Sequence, residues 1–163
     1  MQRAADTYIE GEVGIVIMGA SLTPTPMSTV PVTAPTPGTL NCFLVEDSPL
    51  IRENLVATLQ EMLDLDVVGM AEDEAGALRW LHDEAVPCDI LIIDLFLKRG
   101  SGMSLLPKAR LLQPEAKVIV LTNYATADMR QRCEGLGADK VFDKSSELDE
   151  LIAYCLELAS SKA

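Results

Sequence analysis

The sequence predicts a doubly wound α/β domain, and two observations carry that prediction. Short, uninterrupted apolar runs recur along the second two thirds of the chain, and amphipathic stretches with helical spacing separate them. Runs such as Phe43-Leu44-Val45, Ile90-Leu91-Ile92-Ile93, Val118-Ile119-Val120-Leu121 and Val141-Phe142 lack the alternation of a half-solvated sheet. They read as strands covered on both faces, the condition of a parallel sheet between helices. With Leu65 to Met70 as the second strand, five strands alternate with five helices after residue 40. Right-handed crossovers then close them into a single sheet of order 2-1-3-4-5.

Each helix has its own local reason. Ser48-Pro49 is a capping hydroxyl followed by proline at the first helical position. Ile51, Leu55, Leu59 and Met62 with Leu63 form the stripe behind it. Asp73 caps a helix striped by Leu78, Leu81 and Ala85 that ends before Pro87; its Trp80 is expected half-buried and His82 solvated. The loop Lys98 to Gly102 precedes a helix bearing Leu105, Leu106, Ala109 and Leu112. Pro107 is compatible with that helix only near its first turn, so the helix should begin near Met103 or Ser104. Ala125 to Leu136 and Glu147 to Ala159 supply the last two helices.

Four strands end in polar side chains: Glu46-Asp47, Asp94, Thr122, and Asp143-Lys144. Ligands of open parallel sheets bind outside the carboxyl ends of the strands. One edge therefore collects carboxylates, a hydroxyl and an ammonium. Carboxylates suit a hard divalent cation, and the hydroxyl with the lysine suits an anion. A metal with a phosphoryl group satisfies both.

The remaining composition sets bounds. The chain has 163 residues and a net charge of -12; 12 basic and 22 acidic residues lie in 40–163, so the acidity belongs to the folded part. Such a surface disfavours nucleic acid and anionic membranes. Cys42, Cys88, Cys133 and Cys155 show no paired spacing and fit reduced thiols. Val13 to Leu22 is too short for a membrane span. Asp6, Glu10 and Glu12 offset Arg3 where a secretory signal needs positive charge, so the expected location is cytoplasmic. Residues 1–39 read as a flexible tail, since 21–39 hold five prolines and six threonines.

The acidic pair, the Asp, Thr and Lys after successive strands, and Gly137-Ala138-Asp139 before the last strand together resemble the receiver domain of bacterial two-component response regulators. The resemblance spans residues 40–160 and implies a flavodoxin-like (βα)5 fold. It makes Asp94 the phosphoacceptor, receiving a phosphoryl group from a phosphohistidine. It places Mg²⁺ on Asp47, on Glu46 through water, on Asp94, and on the backbone carbonyl of Phe96. Lys144 would pair with Asp94 and then with the phosphoryl group, while Thr122 would donate its hydroxyl and convert the chemistry into a shape change.

Several positions depart from the common pattern of that family. Its aromatic switch position holds Val141, and Phe142 points to the other face of the strand. Tyr124, two residues after Thr122, could supply the missing ring. Asn123 narrows access to the acyl phosphate, Lys98 screens the acidic site, and Ser145 replaces a common proline, so the Lys144–Ser145 bond is expected trans.

Implied partners are a sensor histidine kinase or histidine phosphotransfer protein, a downstream protein on the face of the fourth helix, fifth strand and fifth helix, and a second copy in a homodimer. The protein would be no enzyme beyond its own phosphorylation and dephosphorylation. Because the chain stops after the fifth helix, a stand-alone, chemotaxis-regulator-like role is expected. A phosphorylation-independent interaction module is the alternative, disfavoured by the complete acid set. A haloacid-dehalogenase-type phosphatase needs a second Asp where Phe96 stands, and an FMN site would meet the charges of Glu46 and Asp47.

Overall fold

The computed structural model describes residues 38–83 and 87–162. Residues 1–37 of the expected 1–39 tail, and Ala85, lie outside the described residues. Strand β1 spans Leu40–Val45, followed by α1 (Pro49–Met62), β2 (Leu65–Ala71), α2 (Glu74–Leu81), β3 (Ile90–Ile93), α3 (Gly102–Leu112), β4 (Lys117–Thr122), α4 (Ala127–Gly135), β5 (Lys140–Asp143) and α5 (Leu148–Lys162). The five strands are parallel in the order β2-β1-β3-β4-β5, as expected.

The unbroken apolar runs are explained by two cores. Ile90 and Ile92 of β3 face α1 and α5, among Leu55, Leu59, Leu63, Leu151 and Cys155. Leu91 and Ile93 face the opposite layer, among Ala77, Leu81, Leu105, Leu106 and Cys133. Alternate residues thus enter different cores, each fully buried aliphatic side chain stabilising by about 1.5–3 kcal/mol. Val141 and Phe142 divide the same way: Val141 joins the α2–α4 side and Phe142 the α1–α5 side. The four cysteines are free thiols, three buried and Cys88 half-buried.

Side-chain caps fix the starts of α1, α2 and α4. Ser48 accepts from the Ile51 amide at 3.4 Å, Asp73 from Gly76 at 2.7 Å, and Thr126 from Met129 at 3.1 Å. Thr126 occupies the cap, so α4 begins at Ala127 and not at Ala125. Along α1, Leu55, Leu59 and Leu63 are buried, whereas Ile51 and Met62 are exposed. The four-residue row of leucines lies on the sheet, and Met62, three residues after Leu59, rotates off it. Helix α2 ends at Leu81, with exposed His82 as its cap residue.

Pro107 corrects a sequence expectation. Helix α3 starts at Gly102, capped by the Ser101 hydroxyl, which places Pro107 inside the helix. Its side chain is exposed, so the ring meets solvent, and the hydrogen bond it cannot donate is lost from the outer face. The early start has a packing reason. A Cβ on Gly102 would stand 2.0 Å from the carbonyl oxygen of Asp94 and 2.7 Å from Leu95 Cα, so glycine lets the helix begin directly against the backbone of Asp94.

One irregularity marks the sheet edge. The register of β1 with β2 skips between Cys42↔Val67 and Phe43↔Gly69, leaving Val68 as the extra residue of a bulge. Half-buried Trp80 stacks on Phe43 with ring centroids 4.0 Å apart. There are no cis peptide bonds among the described residues, and Lys144–Ser145 is trans.

Candidate functional site

Parallel pairing brings the strand ends together. Val45 pairs with Ile93, and the Asp94 amide donates to the Val45 carbonyl at 3.0 Å. Thr122 pairs with Asp143, and the Lys144 amide donates to the Thr122 carbonyl at 2.9 Å. Glu46, Asp94, Thr122 and Lys144 therefore lie along one edge, in the order β1, β3, β4, β5. Glu46 is 2 % exposed, Asp94 6 % and Thr122 0 %, so these polar groups need partners within the protein.

Lys144 supplies the main one. Its Nζ donates to Glu46 Oε1 at 2.6 Å and to Asp94 Oδ2 at 3.0 Å. The sequence reading paired Lys144 with Asp94 alone; the shorter bond goes to Glu46. Glu46 Oε2 accepts from the Ser48 amide at 3.0 Å, and Asp94 Oδ1 from the Phe96 amide at 3.3 Å. Burial raises the Asp94 carboxyl above the usual range, opposed by Lys144 and reinforced by the charge of Glu46. Burial alone would lower the Lys144 ammonium, but the hydrogen bonds and charges of Glu46 and Asp94 leave it above the ordinary lysine value.

Glu46, Asp47 and Asp94 each offer an oxygen, and these oxygens all lie within 4.8 Å of one another. An all-oxygen, all-carboxylate set of this size fits a hard divalent cation such as Mg²⁺, which retains several waters. Asp47 Oδ2 accepts from the Lys98 amide at 2.8 Å, which fixes that carboxylate. Lys98 thus meets the acidic site through its backbone; among the described residues its ammonium makes no ion pair.

Thr122 Oγ1 accepts from the Tyr124 amide at 3.2 Å. The exposed Tyr124 ring meets exposed Phe96 edge-on at 5.1 Å between centroids, so the segments after β3 and β4 touch at the site's rim. Phe142 packs towards Tyr154 at 6.1 Å, away from this rim. Asn123 and Lys144 line one cavity together with Ile51, Leu121 and Leu148.

Two arginines, Arg130 near the site and Arg110 at the opposite, amino edge of the sheet, were invisible to sequence reasoning. Arg130 of α4 donates to the carbonyls of Ala125 at 2.9 Å and Val141 at 2.6 Å, and pairs with Glu147. Arg110 donates to the carbonyls of Gly137 and Ala116 and to Asp139 Oδ2, which also accepts the Val118 amide. The Gly137-Ala138-Asp139 motif thereby holds the turn before β5, with Gly137 at φ +114°. A lone arginine on a polar helix carries no signal; its acceptors belong to other elements.

A five-stranded doubly wound sheet with a lysine spanning a buried acidic group at its carboxyl edge defines a class of phosphoryl-handling signalling folds. Over residues 42–155 the sequence matches the response regulator receiver domain, and the chain belongs to that family. The response regulator UvrY of Escherichia coli is 24% identical over 114 residues, which cover 70% of this chain and 51% of that protein. The chain spans about half the length of the curated relatives it matches.

Among solved structures, a LuxR-family two-component response regulator from Aurantimonas superposes with a TM-score of 0.67 at 23% identity, over 76% of this chain and 87% of that one. A Burkholderia pseudomallei response regulator with a phosphorylated aspartic acid, a calcium ion and citrate gives 0.61 at 24% identity, over 76% and 73%. Both share the fold. No helix among the described residues is long and apolar enough to cross a membrane.

Proposed function

We propose that this receiver module accepts a phosphoryl group on Asp94 from the phosphohistidine of a sensor kinase or histidine phosphotransfer protein. The observation that carries this reading is the hold on Asp94: Lys144 Nζ on Oδ2 at 3.0 Å and the Phe96 amide on Oδ1 at 3.3 Å. Both contacts orient a buried carboxylate whose desolvation makes it more basic and a better nucleophile. An Asp94 oxygen attacks phosphorus, the bond to the imidazole nitrogen breaks, and its electron pair leaves with the imidazole. The product is an acyl phosphate on Asp94; water later attacks the phosphorus and returns the carboxylate.

Mg²⁺ held by Glu46, Asp47, Asp94 and the Phe96 carbonyl would supply charge neutralisation at the transferred group. Lys144 keeps Glu46 and turns from Asp94 to a phosphoryl oxygen. The Thr122 hydroxyl donates its proton to another such oxygen, drawing in the Asn123-Tyr124 loop. The crystallised Burkholderia relative with a phosphorylated aspartic acid lends support by likeness.

Output passes to a protein partner through the face of α4, β5 and α5, with a homodimer among the assemblies and the cytoplasm as the location. Because Val141 replaces an aromatic ring, the coupling runs through Thr122 and Tyr124. Catalysis is confined to the module's own phosphorylation and dephosphorylation.

Acetyl phosphate with Mg²⁺ tests the reading. Mass spectrometry should place the phosphoryl group on Asp94, and Asp94→Asn should abolish labelling. Labelling at another residue with Asp94 untouched would sink it.

A further inference from the structure

Glu74 lies at the start of α2, outside the carboxylate cluster, yet it engages the segment that runs from Asp94 to α3. Glu74 Oε1 accepts from the Ser101 amide at 2.9 Å, and its own amide donates to the Arg99 carbonyl at 3.3 Å. Oε2 pairs with Lys108 at 2.9 Å. These contacts hold the Glu74 carboxyl down at about 2, the Lys108 hydrogen bond contributing most and the Ser101 amide next.

Between them sits Gly100 at φ +82°, where a Cβ would lie 2.4 Å from Glu74 Cβ. The fit therefore needs glycine twice over: for its backbone conformation and for its contact with Glu74. At its base the segment is closed by the Gly102 amide on the Leu95 carbonyl at 3.0 Å. At its far end the Lys98 amide reaches Asp47 Oδ2 at 2.8 Å.

The segment is thus strung between two carboxylates. We infer that Glu74 is a positioning residue for the cation site: by gripping Ser101 and Arg99 it presents the Lys98 amide to Asp47. That amide holds Asp47 Oδ2 and so fixes the orientation of the carboxylate that joins Glu46 and Asp94 at the cation site. The part of Glu74 that matters is its acceptor oxygen towards Ser101, and the ion pair with Lys108 is secondary. Outer groups of this kind tune metal affinity by fixing the ligands. The inference rests on the Mg²⁺ reading above.

An NMR titration with Mg²⁺, read at the amides of residues 46–48 and 94–98, tests it alongside thermal melts. Glu74→Ala should weaken Mg²⁺ affinity by about three- to tenfold, below the usual range for directly bonded outer groups because it acts through backbone. Glu74→Gln keeps the acceptor oxygen and should bind as wild type. Gly100→Ala, which pushes the segment off α2, should weaken binding as Glu74→Ala does and stands in for it if that variant fails to fold. A folded Glu74→Ala or Gly100→Ala with wild-type affinity overturns the inference alone, as does a Glu74→Gln that binds as poorly as the alanine variant. No response in wild type at these amides overturns the Mg²⁺ reading together with it.

Discussion

Lys144 is the side chain on which the site's electrostatics turn. Its side chain is 11 % exposed and faces the side chains of Glu46 and Asp94, themselves 3 % and 8 % exposed, so removing it leaves two desolvated carboxylates beside each other without their cation. Lys144→Ala should cost about 3–5 kcal/mol at neutral pH, the scale of a broken buried pair. Its pH dependence follows from the two shifts. The folded-state value of Lys144 is raised, so its contribution is complete below the ordinary lysine range and disappears only as pH rises through the raised value. Asp94 is also raised, so in the variant its unpaired charge is relieved as pH falls into and below the carboxylate range. Urea unfolding across pH should therefore show a gap between wild type and Lys144→Ala that is widest near neutrality and narrows in acid. A gap of the same size in acid would assign the loss to side-chain packing, not charge.

At the scale of elements, Trp80 and the bulged edge of β2 form a unit. A Cβ on Gly69 would lie 2.2 Å from Trp80 Nε1, so Gly69→Ala must displace the indole from Phe43. A loss of about 1–3 kcal/mol is expected, as for overpacking elsewhere, with a shifted emission spectrum of the sole tryptophan. Unchanged stability and emission would refute the contact. The strands and the Ser48 and Asp73 caps were legible in the sequence because their signals are local: apolar runs, a hydroxyl before proline, a carboxylate three residues before an amide. The site was legible for the same reason, each member standing at the end of its own strand. Helix α3 was not, because what sets its start is the fit of Gly102 on the backbone of Asp94, and exposed Pro107 is tolerated within it. Arg110, Arg130 and Glu74 were hidden because their acceptors and donors lie up to 34 residues away, a distance that no local pattern spans.

Across the described residues, two apolar cores flank the sheet, and the site's loops form the rim of its carboxyl edge. Arg130 ties part of that rim to the far side: the Ala125 carbonyl in the segment after β4, the Val141 carbonyl in β5, and Glu147 before α5. Replacing Arg130 with methionine should leave beryllofluoride-induced amide shifts at residues 122–125 in place and shrink those at 148–158. Equal shifts in α5 for both proteins would dissociate the arginine from the coupling. The link is made by a guanidinium one third exposed, on a carboxylate of similar exposure, where a packed ring would be indifferent to the bathing solution. Ions screen such a pair over roughly 8 Å at physiological strength. The reach of the signal into α5 therefore becomes a property of the medium as well as of the protein, strongest in dilute buffer and damped as potassium chloride is added.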